Sequence, residues 1–245
     1  MDELDELGRM IDFEHAEKVN IRTLYYVALL FYKGDGYCQN YEEAAKWFEK
    51  VAEQKFKSNK QLNYNERTLT ESDKVNNCIA SAQYYLGIMF WNGKGGKQNY
   101  ADAVKWFEKA AGVGHKESEY CLGRAYYTGD GIEQNFGLAV SWYRKAAEQG
   151  YADAQNIIGD AYRDGNGVGQ DYRQALEWYR KAADQGNAAA QNSLGDMYAG
   201  GLGVEKNLGD AMKWYMNAAQ HGNADARSNL EKVIGTLPKE NLVHR

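Results

Sequence analysis

The chain has 245 residues, 44% of them hydrophobic, and its 34 acidic and 29 basic side chains leave a net charge of −5. That balance excludes an intrinsically disordered chain and supplies no overall positive field for a polyphosphate backbone, so nucleic acid is not expected as a partner. No apolar run approaches the roughly 20 residues needed to cross a bilayer, the acidic start MDELDELGRM lacks the order of a secretory signal, and Cys38, Cys78 and Cys121 are an odd number without close spacing. A cytoplasmic protein with reduced thiols and no membrane partner is expected.

In chain order, residues 1–22 are acidic with Leu4, Leu7, Ile11 and Val19 at loosely helical spacing, and read as an amino-terminal capping helix. A repeat then takes over. Trp106, Trp142, Trp178 and Trp214 are spaced by 36 residues, and Trp47 precedes Trp106 by that interval plus an insertion of 23. Gly87, Gly123, Gly159 and Gly195 keep the same ruler, as do the turn glycines from Gly93 and Gly95 onward and the alanine pairs from Ala110-Ala111 onward. The ruler gives repeat 1 at 23–55, an insertion at 56–81, repeat 2 at 82–117, repeat 3 at 118–153, repeat 4 at 154–189 and repeat 5 at 190–222. A carboxy-terminal capping helix and tail follow at 223–245, where Glu231 stands in the place of the glycine.

Each repeat predicts a helical hairpin. In repeat 4, Ala154, Ile158, Ala161 and Tyr162 share a face until Gly165-Asn166-Gly167, and a second helix carries Tyr172, Ala175, Leu176, Trp178, Tyr179, Ala182 and Ala183 to a stop at Gly186. Helices this short are marginal alone, so the hairpins must stack. Gly159 and its equivalents, with Ala28 in repeat 1, are expected to let the second helix approach closely. The tryptophans and alanines are read mainly as packing residues. In the insertion, 56–77 is polar and Lys55 replaces the capping glycine, so the second helix of repeat 1 is expected to run on before a mobile loop.

Ala190, Leu194-Gly195, Tyr198, Gly201, Gly203-Val204, Ala211, Trp214-Tyr215, Ala218-Ala219 and Gly222 form a pattern, recurring through about 23–55 and 82–222, that resembles the Sel1-like repeat (SLR), a relative of the tetratricopeptide repeat. The resemblance implies an all-α, α/α superhelical solenoid of five helical hairpins, here with capping helices at both ends, acting as an adaptor or scaffold. Its partner would be a protein or peptide segment held in a concave groove. Some secreted members carry regular disulfides, and the irregular cysteines here depart from them.

Function is sought at positions that packing does not require. The stripe opposite the packing face of the first helices reads Tyr25, Leu29 and Tyr32; Tyr84, Ile88 and Trp91; Tyr120, Arg124 and Tyr127; Asn156, Asp160 and Arg163; then Asn192 and Asp196. Three aromatic repeats thus give way to two polar ones. Exposed aromatic rows mark binding surfaces, and the partner-binding residues proposed from the sequence are these, Leu29 excepted. Trp91→Ala is accordingly expected to cost less stability than Trp178→Ala. A plainer reading packs the rings between adjacent first helices or against the insertion, and a third fills the groove with a second copy, although a monomer is favoured.

Other chemistries find less support. His15, His115, His221 and His244 have no sequence neighbour placed as nucleophile or base and no ligand spacing, so no catalytic residue, metal or cofactor is expected. The Gly-Asp-Gly and Gly-Asn-Gly turns lack the P-loop lysine and the acid spacing of a calcium loop. The alternatives to an adaptor are an immunity protein that neutralises a secreted toxin, a glycan-binding protein and a hydrolase.

Overall fold

The computed structural model describes residues 20–35, 38–55 and 70–236. The amino-terminal cap proposed before residue 20, insertion residues 56–69 and the tail after 236 lie outside the described residues. The described residues hold eleven helices and no strand, so the fold is all-α. The chain divides into two compact units, Met1–Asn135 and Phe136–Arg245. The first holds α1 (Ile21–Lys33), α2 (Tyr41–Ala52), α3 (Glu71–Asn92), α4 (Tyr100–Ala111) and α5 (Lys116–Thr128). The second holds α6 (Phe136–Glu148), α7 (Ala152–Asp164), α8 (Tyr172–Ala183), α9 (Ala188–Gly200), α10 (Leu208–Gln220) and α11 (Ala224–Thr236). Within each unit a helix packs on its chain neighbours, hairpin on hairpin, in the manner of a helical-repeat solenoid.

The turn between the two helices of a repeat is closed by side chains as well as by glycine. Gly201 ends α9 in the left-handed conformation, and Gly203 has φ 68° where a Cβ would meet the Tyr172 backbone at 2.8 Å. The residue that caps the following helix also turns back: the N–H of Asn40, Asn99, Asn135, Asp171 and Asn207 donates to the carbonyl of Phe31, Phe90, Tyr126, Tyr162 and Tyr198 at 2.8–2.9 Å. One residue earlier, the side chains of Gln39, Gln98, Gln134 and Gln170 donate to the carbonyls of Tyr32, Trp91, Tyr127 and Arg163 at 2.7–2.9 Å. Four of the five first-helix ends are therefore satisfied by one recurring Gln-Asn or Gln-Asp pair.

The deepest anchor of each hairpin is the ring that follows the tryptophan. Phe48, Phe107, Tyr143, Tyr179 and Tyr215 are all buried, whereas Trp47, Trp106, Trp142 and Trp214 remain half-buried. Consecutive helical residues point about 100° apart, and it is the second one that faces the glycine notch. A Cβ on Gly87, Gly159 or Gly195 would sit 2.4–2.5 Å from the ring of Phe107, Tyr179 or Tyr215. The notch expected from the sequence is present, and the ring rather than the tryptophan fills it. The tryptophans take a shallower place, with Lys50, Lys109, Lys145 and Lys181 lying over Trp47, Trp106, Trp142 and Trp178 at 3.7–4.5 Å.

Successive repeats are tied by a glutamine. Gln83, Gln155 and Gln191 are buried, and each donates to the last-turn carbonyl of the preceding repeat, Ala52, Ala147 or Ala183, at 3.0–3.2 Å. The amide oxygen of Gln155 accepts from Gln185, and that of Gln191 pairs with His221 Nδ1. In repeat 2 the corresponding position is Val113, and Gln83 Oε1 has no hydrogen-bond partner.

Two local expectations are corrected. α3 is 22 residues long where α1, α5, α7 and α9 have 13. It starts at Glu71, inside the stretch read as loop, because Thr70 and Asp73 form a capping box with bonds of 3.1 and 2.9 Å. Val75 and Ile79 of the added turns enter the core beside Ala28 and Phe48. α2, by contrast, does not run on: it ends at Ala52, and Glu53 in a right-handed conformation closes it without glycine. At the other end α11 buries Ala226 and Val233 against Ala211, Tyr215 and Ala218 and leaves Arg227, Glu231 and Lys232 exposed.

Candidate partner-binding face

In the first unit the aromatic stripe is largely engaged in packing. Tyr25 lies 6.1 Å from Phe48 and 6.5 Å from Tyr85, and burial raises its hydroxyl well above the usual tyrosine range. Tyr32 meets Tyr85 at 5.1 Å and Tyr41 at 5.4 Å, with Lys94 over both Tyr32 and Tyr41. Tyr85, from the next repeat, stacks on Phe48 at 5.1 Å and so sits between Tyr25 and Tyr32. Tyr84 contacts Phe107 and His115. Trp91 is only 8% exposed, equal to Trp178, with Tyr100 on one side at 4.8 Å and the Arg124 guanidinium over it at 4.4 Å. An open row of rings is therefore not what these residues form, and Trp91 is as buried as Trp178 rather than more superficial: Tyr85 of the next repeat packs between Tyr25 and Tyr32, and Tyr100 and Arg124 cover Trp91, contacts that a periodicity argument cannot see. Ile88 and Tyr120 are half-buried, and Tyr127 stands out at 50% exposure.

The second unit is organised differently. Asn156 donates to Asp160 at 3.3 Å, and one repeat later Asn192 donates to Asp196 at 3.4 Å. From beneath, the hydroxyls of Tyr179 and Tyr215 donate to the two carboxylates at 2.7 Å. Asn229 of α11 extends the row by donating to Asn192 Oδ1 at 3.2 Å and to Asp196 at 3.5 Å. Arg163 pairs with Asp160 at 3.1 Å and with Asp164 at 2.8 Å. Partial desolvation raises both Asp160 and the more exposed Asp196 above the usual aspartate range, against the opposing effect of the tyrosine hydroxyls. The structure thus forms two hydrogen-bonded rungs of a ladder, Asn156, Asp160 and Arg163 in repeat 4 and Asn192 and Asp196 in repeat 5, the second joined to Asn229. Asn229 was missed by the sequence reading because it lies one residue off the 36-residue ruler.

His115 has neighbours that sequence reasoning did not foresee. Its ring is 5% exposed, with Nε2 3.5 Å from Ser81 Oγ and Nδ1 3.1 Å from Ser118 Oγ and 3.5 Å from Glu117. The resemblance to a serine–histidine–acid set fails on proton direction. His115 is the N-cap of α5, and the Ser118 N–H donates to Nδ1. Nδ1 is then the acceptor, Nε2 carries the hydrogen toward Ser81, and no base faces the hydroxyl. Burial lowers the imidazole pKa to about 3. Burial likewise pushes the Cys78 and Cys121 thiols up to about 11 and about 12, away from thiolate chemistry. Among the described residues no three His, Cys, Asp or Glu side chains converge on a metal position, and no helix is long and apolar enough to cross a membrane.

The Sel1 repeat family matches five segments, residues 22–56, 80–115, 116–151, 152–187 and 188–223. The chain belongs to the Sel1 repeat family. Sel1 repeats generally mediate protein–protein interaction, and their fold serves as an interaction scaffold. No curated protein matches. Among solved structures, a Sel1 repeat protein from Oxalobacter formigenes is 28% identical with a TM-score of 0.76, over 98% of this chain and 88% of that one. A protective antigen of uropathogenic Escherichia coli with an SLR fold is 29% identical with a TM-score of 0.75, over 98% of this chain and 44% of the antigen, so this chain spans less than half of that protein. An immunity protein of Pseudomonas aeruginosa is 19% identical with a TM-score of 0.50, over 96% and 79%, a likeness of fold alone.

Proposed function

We propose that this Sel1 repeat protein is an adaptor that takes up a segment of another protein along the variable stripe of its first helices. The ladder Asn156, Asp160, Asn192, Asp196 and Asn229 carries the reading. Within each rung its members hold one another in fixed orientation, a tyrosine braces each rung from below, and Asp196 is exposed to solvent. The ties between successive repeats at the glutamine positions do not use this row, although its aspartates also pair the buried tyrosine hydroxyls. A preordered line of amides and carboxylates suits a partner backbone and its polar side chains, because little side-chain freedom is lost when they are met.

The test is affinity capture from the source lysate with the full chain and with the pair Asn192→Ala and Asp196→Asn. A protein retained by the wild type and lost by the variant, with helical circular dichroism unchanged, is expected. Identical capture by both would remove the ladder from the reading.

A further inference from the structure

Repeats 4 and 5 carry the same carboxylate at two stages of completion. Asp160 accepts from the Tyr179 hydroxyl at 2.7 Å and from Asn156 at 3.3 Å, and the Arg163 guanidinium meets its charge at 3.1 Å. Asp164 holds that arginine in place, accepting from its Nε and Nη2 at 2.8 Å each. One repeat later Asp196 has the first two contacts again, from Tyr215 at 2.7 Å and Asn192 at 3.4 Å. The third is not repeated, since the positions of Arg163 and Asp164 are taken by Ala199 and Gly200.

Among the described residues no cation lies within ion-pair distance of Asp196: Arg163 and Lys232 act on its charge only from further away, Arg163 being held by Asp160 and Asp164, and Lys232, which occupies the Asp196 position in α11, donating to Asn229 Oδ1 at 3.3 Å. Asp196 is nonetheless fixed by three donors, is exposed, and is flanked by the smallest side chains available at 199 and 200. The filled copy shows which chemistry fits, because the same frame at Asp160 is completed by one nitrogen of a guanidinium, Arg163 Nη1 at 3.1 Å, a charge-assisted contact. We propose that Asp196 is the socket for an arginine side chain of the bound protein segment, which stands to Asp196 as Arg163 stands to Asp160. The assignment rests on the protein-binding reading above and names the chemistry of one contact within it.

The experiment uses the full chain and N-acetyl-arginine amide as probe, with N-acetyl-citrulline amide as its uncharged match, followed through the side-chain amide resonances of Asn192 and Asn229. Saturable binding of the arginine probe is expected, weaker by about tenfold for citrulline and for Asp196→Asn, which keeps an acceptor for Tyr215. Ala199→Arg, which rebuilds the repeat 4 arrangement within the chain, is expected to abolish binding, while Ala199→Met, of similar bulk without charge, retains it. Unsaturable shifts in the wild type, equal binding by Asp196→Asn, or equal loss in both Ala199 variants each overturns the assignment. If the probe fails while partner capture still depends on the ladder, the adaptor reading stands and the arginine is wrong.

Discussion

The two units spend the same repeat positions on opposite chemistry. In the first, Leu29 and Ile88 on the stripe accompany Phe48 and Phe107 on the second helix; in the second, Asp160 and Asp196 accompany Tyr179 and Tyr215, joined by 2.7 Å hydrogen bonds. The ring still fills the glycine notch in both cases. The added hydroxyl needs an acceptor once it is buried, and the aspartate supplies it while its other oxygen accepts from Asn156 or Asn192. The stripe is therefore not free to vary residue by residue: its polarity is coupled to a single oxygen atom on the neighbouring helix. One backbone can then present an apolar, ring-filled wall in one half and a hydrogen-bonded row in the other.

Four measurements break or sharpen that comparison. The largest effect is expected at Trp91, where Trp91→Ala should cost roughly 3–5 kcal/mol in urea unfolding, as for a large buried aromatic, and match Trp178→Ala. A loss well below that of Trp178→Ala would return Trp91 to the surface. Next, Asp196→Ile alone should cost about 1–3 kcal/mol by leaving the Tyr215 hydroxyl unpaired, whereas Asp196→Ile with Tyr215→Phe, which copies the Ile88 and Phe107 pair, should recover most of it. A double variant no better than the single would deny the coupling.

The third concerns His115. Its folded pKa of about 3 lies below the unfolded value of 6.5, so between those values the unfolded chain binds a proton that the folded chain refuses. Stability should fall as pH drops through that window, by up to about 1.4 kcal/mol per pH unit for this one group. His115→Asn, which copies the N-caps Asn187 and Asn223 of later repeats, should flatten the acid limb, and an unchanged limb would assign it to other groups. The smallest effect is a gain: Val113→Gln places a donor where Gln83 Oε1 has none, as Gln185 does for Gln155, and should stabilise by about 1 kcal/mol. Unchanged or lower stability would show the site closed to the longer side chain.

Much of the fold was legible because its signals are local. The 36-residue ruler, the turn glycines and the Gly159 notch each follow from a backbone need that only certain residues meet. The start of α3 is written in Thr70-Glu71-Ser72-Asp73, a capping pair that the polar composition around it obscures. The stop of α2 at Ala52 carries no such mark. The stripe was read correctly as a face and incorrectly as an open one in the first unit, since periodicity tells which residues share a side and is silent on what covers it. Tyr85 lies between Tyr25 and Tyr32 from 53 to 60 positions away in sequence, and nothing in repeat 1 announces it. The ladder in the second unit was named in its parts, while the tyrosines that brace it had been counted only as packing.

The glutamine clasp bears on how the polypeptide matures. The Ala183 carbonyl at the end of α8 is met by Gln191, eight residues later and already in the following repeat. At the three junctions with this clasp, a nascent chain thus leaves one helix end without its side-chain partner until the opening turn of the next repeat has emerged. A truncation between Ala183 and Gln191 would leave that terminus bare.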